Sequence, residues 1–199
     1  LVVYINPEKP LDYLPSIKVS LDMIKKIDPQ KTQTIKLSLE NKNPLNISKL
    51  DIQLKSDMKE FNKKTTIGLE PLGSKTVEFT VTPNSLQKPG KHFLFFTFER
   101  NKEVVKVLSE EVEIISLTPK FNTNTTATKS FLKTTKSIFV KNTGNVKNTQ
   151  DVYEPISFWK NLFTKSKAKL VYKNTQKNLM WQVTLAPNEA KTLTYVHNY

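Results

Sequence analysis

Apolar and polar residues alternate along several short segments of the chain, and this period of two constrains the fold more than any other feature. The segment TQTIKLSLE, at 32 to 40, places Ile35, Leu37 and Leu39 between polar residues. The same alternation recurs in SKLDIQLK, KTVEFTVT and EVEII. Because successive side chains of a strand point to opposite faces, this pattern indicates sheets with one buried face. We therefore expect an all-β protein.

Turn-forming groups separate these segments, namely NKNPLN at 41 to 46, EPLGS at 70 to 74 and NSLQKPGK at 84 to 91. Strands at this spacing, with Pro, Gly and Asn in the turns, are typical of an antiparallel β-sandwich of immunoglobulin type. A chain of 199 residues has room for two small domains of this kind. We place the first immunoglobulin-like sandwich at residues 1–116.

The segment KHFLFFTFE breaks the alternation because it is apolar on both faces. It is predicted to be either a central strand or a strand whose outer face is covered by a neighbouring domain. On the second alternative, Phe93 and Phe95 are candidates for inter-domain packing.

The second half of the chain repeats the first. LSLENKNPL at 37 to 45 aligns with IFVKNTGNV at 138 to 146, so that Asn41 matches Asn142. GLEPLGSKTVEFTV likewise aligns with TLAPNEAKTLTYVH, so that Pro71 matches Pro187. Asn side chains bond the backbone two residues on, and Asn and Gly tolerate left-handed backbone. The repeated Asn loops are therefore predicted to be structural turns rather than ligand loops.

The second sandwich, at 117–199, is expected to be an atypical copy. SLTPKFNTNTTATKS is predicted to be a short hinge near 116 to 119 followed by an edge strand. The copy has no counterpart of 90 to 116, so it either completes its sheet differently or is cut short at Tyr199.

The second copy also carries an insertion of about 15 residues relative to the first. It includes PISFWKNLFTK, at 155 to 165, whose i, i+4 aromatic and aliphatic pairs predict a short helix over the sheet. We predict a contact surface at Phe158, Trp159 and Phe163. The following segment is expected to form a hairpin with its loop at 174 to 178.

Residues suited to catalysis or metal binding are scarce. The chain has no cysteine, which excludes disulfides, thiolate metal sites and thiol catalysis. His92 and His197 have no partner motif and are expected to be solvent-facing or boundary residues. The glutamates at 110, 111 and 113 are predicted to mark a solvated strand edge. No catalytic residue, metal or cofactor is expected, and the chain is predicted not to be an enzyme.

Aromatic residues and sequons offer weaker signals. Trp159, Tyr172 and Trp181 could form a stacking platform, but core packing is the favoured interpretation. Asn46 and Asn124 begin Asn-x-Ser/Thr sequons in predicted loops and are candidate glycosylation sites in an exported protein.

The formal net charge of +13 raises nucleic acid, an anionic glycan or lipid head groups as partners. However, Arg100 is the only arginine and the lysines are dispersed. Dedicated phosphate readers use the bidentate arginine fork. A solvated basic surface is therefore favoured, nucleic acid is not expected, and an anionic surface polymer is kept as a candidate partner.

The chain begins with LVVYI rather than methionine and has no apolar run near eighteen residues. A preceding segment, such as a signal peptide, is expected to have been removed.

The tandem units, with ENKNPLNI or KNTGNV followed by LEPLGSKTVEFTV or LAPNEAKTLTYV, resemble the immunoglobulin-like repeats of archaeal and bacterial cell-surface proteins, of the cell-adhesion-related and S-layer-associated types. The resemblance implies a location on the extracellular face of the cell membrane, with an anchor outside residues 1–199. The leading hypothesis is a non-enzymatic ectodomain that serves as spacer, adhesion or protein-interaction module toward other cell-envelope or membrane proteins. The alternatives are a polyanion-binding module and a non-catalytic accessory domain of a larger complex.

Overall fold

The computed structural model describes residues 16–198, so the LVVYI segment and Tyr199 lie outside the described residues. The chain divides into two compact units. The first comprises the residues up to Asn84 together with Gly90–Ile115, and the second comprises Ser85–Pro89 and the residues from Ser116 onward. The loop Ser85–Pro89 thus groups with the second unit, although the sequence boundary at 116 places it in the first.

The first unit consists of two sheets. One is antiparallel and has the order β1 (Ile17–Asp22), β3 (Gln33–Asn41), β6 (Ser74–Val81). The other has the order β2 (Lys26–Ile27), β8 (Glu103–Ile114), β7 (Gly90–Arg100), β4 (Ile47–Lys55), β5 (Lys63–Leu69). Its pairs are antiparallel except β2 with β8. A 3₁₀ turn spans Lys59–Phe61 between β4 and β5.

The apolar residues of the alternating segments form the core of this unit. In β3, every second residue is buried, including Ile35, Leu37 and Leu39. Strand β7 lies between β4 and β8, which confirms that it is a central strand. Its outward-facing Phe93 and Phe95 are half exposed and stack on each other, with ring centroids 6.3 Å apart. Their role in inter-domain packing stays a prediction.

The second unit completes its two sheets with strands that the first unit lacks. One sheet has the order β12 (Thr164–Ser166), β15 (Ala190–Asn198), β10 (Lys133–Lys141), β9 (Asn122–Ser130). The other has the order β11 (Asn148–Pro155), β14 (Gln176–Leu185), β13 (Lys169–Lys173). All pairs in both sheets are antiparallel. The all-β fold is therefore confirmed, and the predicted edge strand after residue 119 is β9.

The aromatic residues of the second unit divide between core and surface. Trp181 is buried with its ring centroid 6.0 Å from that of Tyr195, so its predicted core position is correct. Core packing, which was favoured for the three aromatic residues together, is wrong for Trp159 and Tyr172, since both are largely exposed. Trp159 is also one of the predicted contact residues. The helix α1 is only one turn long, Phe158–Leu162, and so short a helix cannot lay two successive turns of side chains on the sheet.

The repeated loop of the first unit is held by one buried amide. Asn41 is fully buried, and its Nδ2 donates to the carbonyl oxygens of Leu45 and Glu70 at 2.8 and 2.9 Å. Its Oδ1 accepts a hydrogen bond from the backbone N–H of Asn43 at 3.0 Å. One side chain therefore ties the β3–β4 loop to the turn before β6.

Asn142 holds the loop of the second unit in the same way. It is fully buried, its Nδ2 donates to the carbonyl oxygens of Val146 and Ala186 at 2.9 and 3.1 Å, and its Oδ1 accepts from the N–H of Gly144 at 2.9 Å. These contacts match those of Asn41. The aligned asparagines thus occupy equivalent places, as a structural turn requires.

The glycine in this loop has a different role from the predicted one. A left-handed backbone was expected at Gly144. Among residues 16–198, however, the glycine with a positive φ is Gly90, at 143°. A Cβ built on Gly144 would instead lie 2.2 Å from the carbonyl oxygen of Leu117. Gly144 is needed because another segment of backbone passes too close for a side chain.

The β13–β14 hairpin allows a test of local strain. Its turn is shorter than predicted and consists of Asn174 and Thr175, with φ of 50° and 63°. A two-residue turn with both φ positive favours Asn-Gly, and a β-branched residue is strained there. Thr175→Gly should therefore raise the free energy of unfolding by about 1 kcal/mol, measured from the urea midpoint. Thr128→Gly, in the exposed strand β9, should lower it, and a lower stability of Thr175→Gly would contradict the assignment.

Candidate functional site

Several acidic and histidine side chains of the described residues are held in separate ion pairs. His92, which was expected to have no partner motif, has its Nδ1 2.8 Å from Oδ2 of Asp57. Two of the glutamates on β8 are in salt bridges, Glu110 with Lys25 and Glu111 with Lys91. Between residues 16 and 198 no three His, Asp or Glu side chains are grouped so as to hold a metal ion. In the same range no helix is long and apolar enough to cross a membrane.

His197 differs from the expected solvent-facing or boundary residue because it is buried, with 8% of its surface exposed. Its Nδ1 lies 2.6 Å from Oγ1 of Thr164, and that Oγ1 also lies 2.6 Å from the carbonyl oxygen of Lys160. A carbonyl only accepts, so the single hydroxyl proton of Thr164 is given to Lys160. His197 must therefore donate from Nδ1, which fixes its neutral tautomer.

A second polar network lies on the neighbouring strands. Nζ of Lys136 and the hydroxyl of Tyr195 both donate to Oε1 of Glu154, at 2.8 and 2.9 Å. The hydrogen bond to Glu154 raises the pKa of Lys136, and burial raises the pKa of Tyr195. Glu154 is thus already bound by two donors and is not a free acid or base.

These networks border a small basic pocket of about 210 Å³. It is lined by Ala127, Lys129, Thr134, Lys136, Ile156, Lys160, Tyr195 and His197. Glu154 neutralises Lys136 beside this pocket, so Lys129 and Lys160 are the lining cations that could attract an anion.

The environment of His197 predicts a pH dependence of stability. Burial, together with the charges of Lys160 and Lys136, lowers the pKa of His197. In the unfolded chain the pKa of His197 is about 6.5. Below that pH the unfolded chain binds a proton that the folded chain does not bind as readily. This contribution to stability is therefore present above about pH 6.5 and is lost as the pH falls below it.

We expect His197→Asn, which retains a donor near the position of Nδ1, to lose less unfolding free energy than the parent between pH 7.5 and 5.5. Urea titrations at both pH values measure the difference. The pH dependence should be retained in the control variant His92→Asn. If His197→Asn had the same pH dependence as the parent, His197 would not be its source.

The net charge is concentrated in the second unit. Residues 116–198 contain 13 lysines and the three acidic side chains Asp151, Glu154 and Glu189, which gives +10 of the total +13. The lysines are spread over both units. The charge difference between the units therefore arises from the scarcity of acidic residues in the second. The sequence shows this scarcity directly, since Asp151, Glu154 and Glu189 are the acidic residues of 116–198.

The predicted contact residues lie at one end of the second unit. Trp159 and Phe163 are both more than half exposed there, while the side chain of Phe158 lies outside what the structure describes. Sequence reasoning missed Phe131 and Leu132, which form the exposed β9–β10 turn at the same end. An apolar pair between two polar strand segments was the available signal.

The two sequons differ in setting. Asn46 is exposed in the β3–β4 loop, as predicted. Asn124 is exposed but lies in strand β9 opposite Phe139, so its placement in a loop is wrong. Glycosylation at either position stays a prediction.

Comparison with known sequences finds no match: no family model fits the chain, and no curated protein is significantly similar to it. Similarity to solved structures is partial. The solution structure of the CARDB domain of a Pyrococcus furiosus protein is 17% identical with a TM-score of 0.43, covering 51% of this chain and 95% of that one. A crystal structure of that CARDB domain in complex with di-metal ions is 16% identical with a TM-score of 0.43, covering 50% and 93%.

A protein of unknown function from Porphyromonas gingivalis is 10% identical with a TM-score of 0.31, covering 92% of this chain and 83% of that one. All three TM-scores are below 0.5. The fold assignment therefore rests on the sheets and their registers, and the likenesses carry no statement about function.

Proposed function

We propose that this chain is a non-enzymatic interaction module of an exported, membrane-anchored cell-surface protein, serving as spacer or adhesion element on the extracellular face. The observation that carries the proposal is the set of exposed aromatic and aliphatic side chains at one end of the second unit. Exposed apolar groups concentrated in one place mark an interaction surface. Other cell-envelope or membrane proteins are the proposed partners.

The internal duplication supports the same function. The buried amides of Asn41 and Asn142, the residues whose loops most resemble ligand loops in sequence, are fully used in joining turns. Each sandwich is held by such turns, so the surface of each unit is left for recognition.

Labelling of intact source cells tests the location. A membrane-impermeant, amine-reactive biotin reagent should modify the exposed lysines before lysis, while a cytoplasmic protein in the same cells stays unmodified. Labelling only after lysis would contradict the proposed location.

A second candidate function is a polyanion-binding module, which the net charge of +10 in residues 116–198 favours. Binding carried by lysine and phosphate or sulfate groups must weaken steeply with salt. Retention on heparin at about 50 mM salt and release by about 500 mM is expected from this principle. No retention at the lower salt would remove this candidate.

A further inference from the structure

One end of the second unit brings together the β9–β10 turn, the helix α1 and the end of β15. Lys133 pairs with Ser130 on one side and with Asn198 on the other, and the N–H of Asn198 donates to the carbonyl oxygen of Phe163 at 3.1 Å. Neighbouring strands lie about 4.8 Å apart, so this row spans about 15 Å. The turn and the helix are therefore parts of one surface.

We call this surface the apolar end and define it by five exposed side chains. They are Phe131 at 94%, Trp159 at 73%, Leu132 at 60%, Leu162 at 58% and Phe163 at 57% exposed. Single exposed apolar residues are ordinary, but five on two adjacent segments concentrate apolar surface in contact with water at one end of the unit. Such an area is expected to be a binding surface.

The other sheet extends the same end. The N–H of Ile156 donates to the carbonyl oxygen of Lys177 at 2.9 Å, which places the β13–β14 turn beside the segment that leads into α1. Tyr172, before that turn, is largely exposed, and Nζ of Lys177 lies 5.6 Å from its ring centroid. An aromatic ring and a cation thus continue the surface.

Lysines surround the apolar end. Lys129, Lys133, Lys160 and Lys165 are exposed on its segments, and none of them forms a salt bridge within the described residues. This unit has three acidic side chains. Glu154 is bound by Lys136 and Tyr195, Asp151 lies within β11 opposite Gln182, and Glu189 lies at the opposite end in the β14–β15 turn. The charge at this end is therefore strongly positive.

We propose that the apolar end docks on an anionic phospholipid surface. Aromatic and aliphatic side chains enter the boundary between head groups and acyl chains, while lysines beside them contact the anionic head groups. Charge complementarity selects this occupant. A second copy of the chain would bring two sets of lysines together, which like-charge repulsion disfavours.

The basic pocket supplies a place for one head group. Lys129 and Lys160 line it as well as bordering the apolar end, and its volume is about 210 Å³. A phosphate bound there would lie beside Lys160, which follows Trp159 in α1. Phosphate and apolar chain are thus recognised by adjacent parts of one surface.

This proposal deepens the second candidate function and assigns to lipid the surface that the first candidate gives to a protein partner. Vesicle binding tests the lipid site and the polyanion function separately. The full chain is sedimented with vesicles of phosphatidylserine and phosphatidylcholine, and with phosphatidylcholine alone. We expect binding to the anionic vesicles that weakens with salt, and at least tenfold weaker binding to the neutral ones. Heparin binding without binding to anionic vesicles would overturn the lipid site and leave the polyanion function standing. Equal binding to both vesicles would overturn the role of charge.

Matched charge variants locate the surface. Replacing Lys129, Lys133 and Lys160 by Gln should weaken vesicle binding, by about fivefold for each lysine. The control replaces three lysines at the opposite end by Gln, namely Lys141, Lys147 and Lys191. If the control weakens binding as much as the test variant, the proposed location is wrong.

Apolar variants test insertion. Phe131→Ser with Trp159→Ser should weaken vesicle binding by about tenfold or more, whereas Phe93→Ser with Phe95→Ser, at the exposed pair of the first unit, should leave it unchanged. Circular dichroism checks that both variants fold, and sedimentation velocity without lipid reports self-association. A self-association that the first variant abolishes would identify the surface as a contact between copies and overturn the lipid proposal.

The fluorescence of Trp159 can show whether the apolar end enters the bilayer. Brominated lipids should quench its fluorescence in the bound protein, and this quenching should disappear in Trp159→Phe because Trp181 is buried in the core. Quenching that is unchanged in Trp159→Phe, or absent from bound protein, would show that the apolar end does not enter the bilayer.

Discussion

Replacing Asn142 by Asp should destabilise the second unit by about 3 to 5 kcal/mol, enough to unfold a marginal domain. The variant keeps the shape of the side chain but puts an oxygen where Nδ2 now donates to the carbonyl oxygens of Val146, Leu185 and Ala186. Three attractive contacts become repulsive in a site with no exposed surface. If the carboxyl takes up a proton instead, it can still satisfy at most one of those carbonyls.

The two tryptophans make this measurement specific. Trp159 and Trp181 both lie in the second unit, and the first unit has none. Urea unfolding followed by Trp fluorescence therefore reports on the second unit, while circular dichroism reports on both.

The equivalent substitution in the first unit is the matched control. Asn41→Asp should lower the stability seen by circular dichroism but leave the Trp transition in place, and Asn122→Asp, in exposed β9, should change neither. An Asn142→Asp variant within about 1 kcal/mol of the parent would contradict the role of the buried amide.

Gly144→Ala should cost about 3 kcal/mol, since a methyl group at this position overlaps backbone. The added Cβ would lie 2.2 Å from the carbonyl oxygen of Leu117 and 2.9 Å from Cδ of Pro119. Neither neighbour is a flexible side chain, so the segment leading into β9 must move. That movement would strain the 2.7 Å bond from the N–H of Leu117 to Oδ1 of Asn145.

Gly68→Ala provides the comparison. Its Cβ would lie 3.2 Å from the carbonyl oxygen of Ser48, and an alanine is tolerated in a strand, so the loss should stay below about 1 kcal/mol. Trp fluorescence measures the loss of stability in Gly144→Ala, which lies in the second unit. Circular dichroism measures the loss in Gly68→Ala, which lies in the first. Because Gly→Ala by itself lowers the entropy of the unfolded chain and so favours folding, equal losses in the two variants would show that the 2.2 Å approach to Leu117 does not set the cost at Gly144.

The strands, their buried faces and the duplication were accessible from the sequence because each depends on local periodicity. Alternation placed Ile35 and Leu37 in the core, and the aligned loops placed Asn41 and Asn142 in equivalent positions, where the structure finds equivalent hydrogen bonds. The Asx-type bond from each Oδ1 to the backbone two residues on was predicted for the same reason.

The positions of Trp159 and His197 could not be predicted from local periodicity. Core packing was favoured for Trp159 because it lies in the helix predicted to cover the sheet, although it was also named as a contact residue. The helix has only one turn, and Trp159 lies at the surface. His197 was expected near solvent, and its burial follows from Thr164 and Lys160, which come from the insertion. Nothing in the local sequence specifies either outcome.

The sequence by itself determined the architecture of this protein: strands, turns, two copies and a basic second half. These features follow from side-chain period and turn chemistry, which act over a few residues. Only the tertiary structure decided that Gly144 is required by the approach of Leu117, and that Phe131 and Trp159 share one lysine-bordered end. Strand pairing joins segments far apart in the chain, and their proximity is a property of the sheet rather than of any single segment.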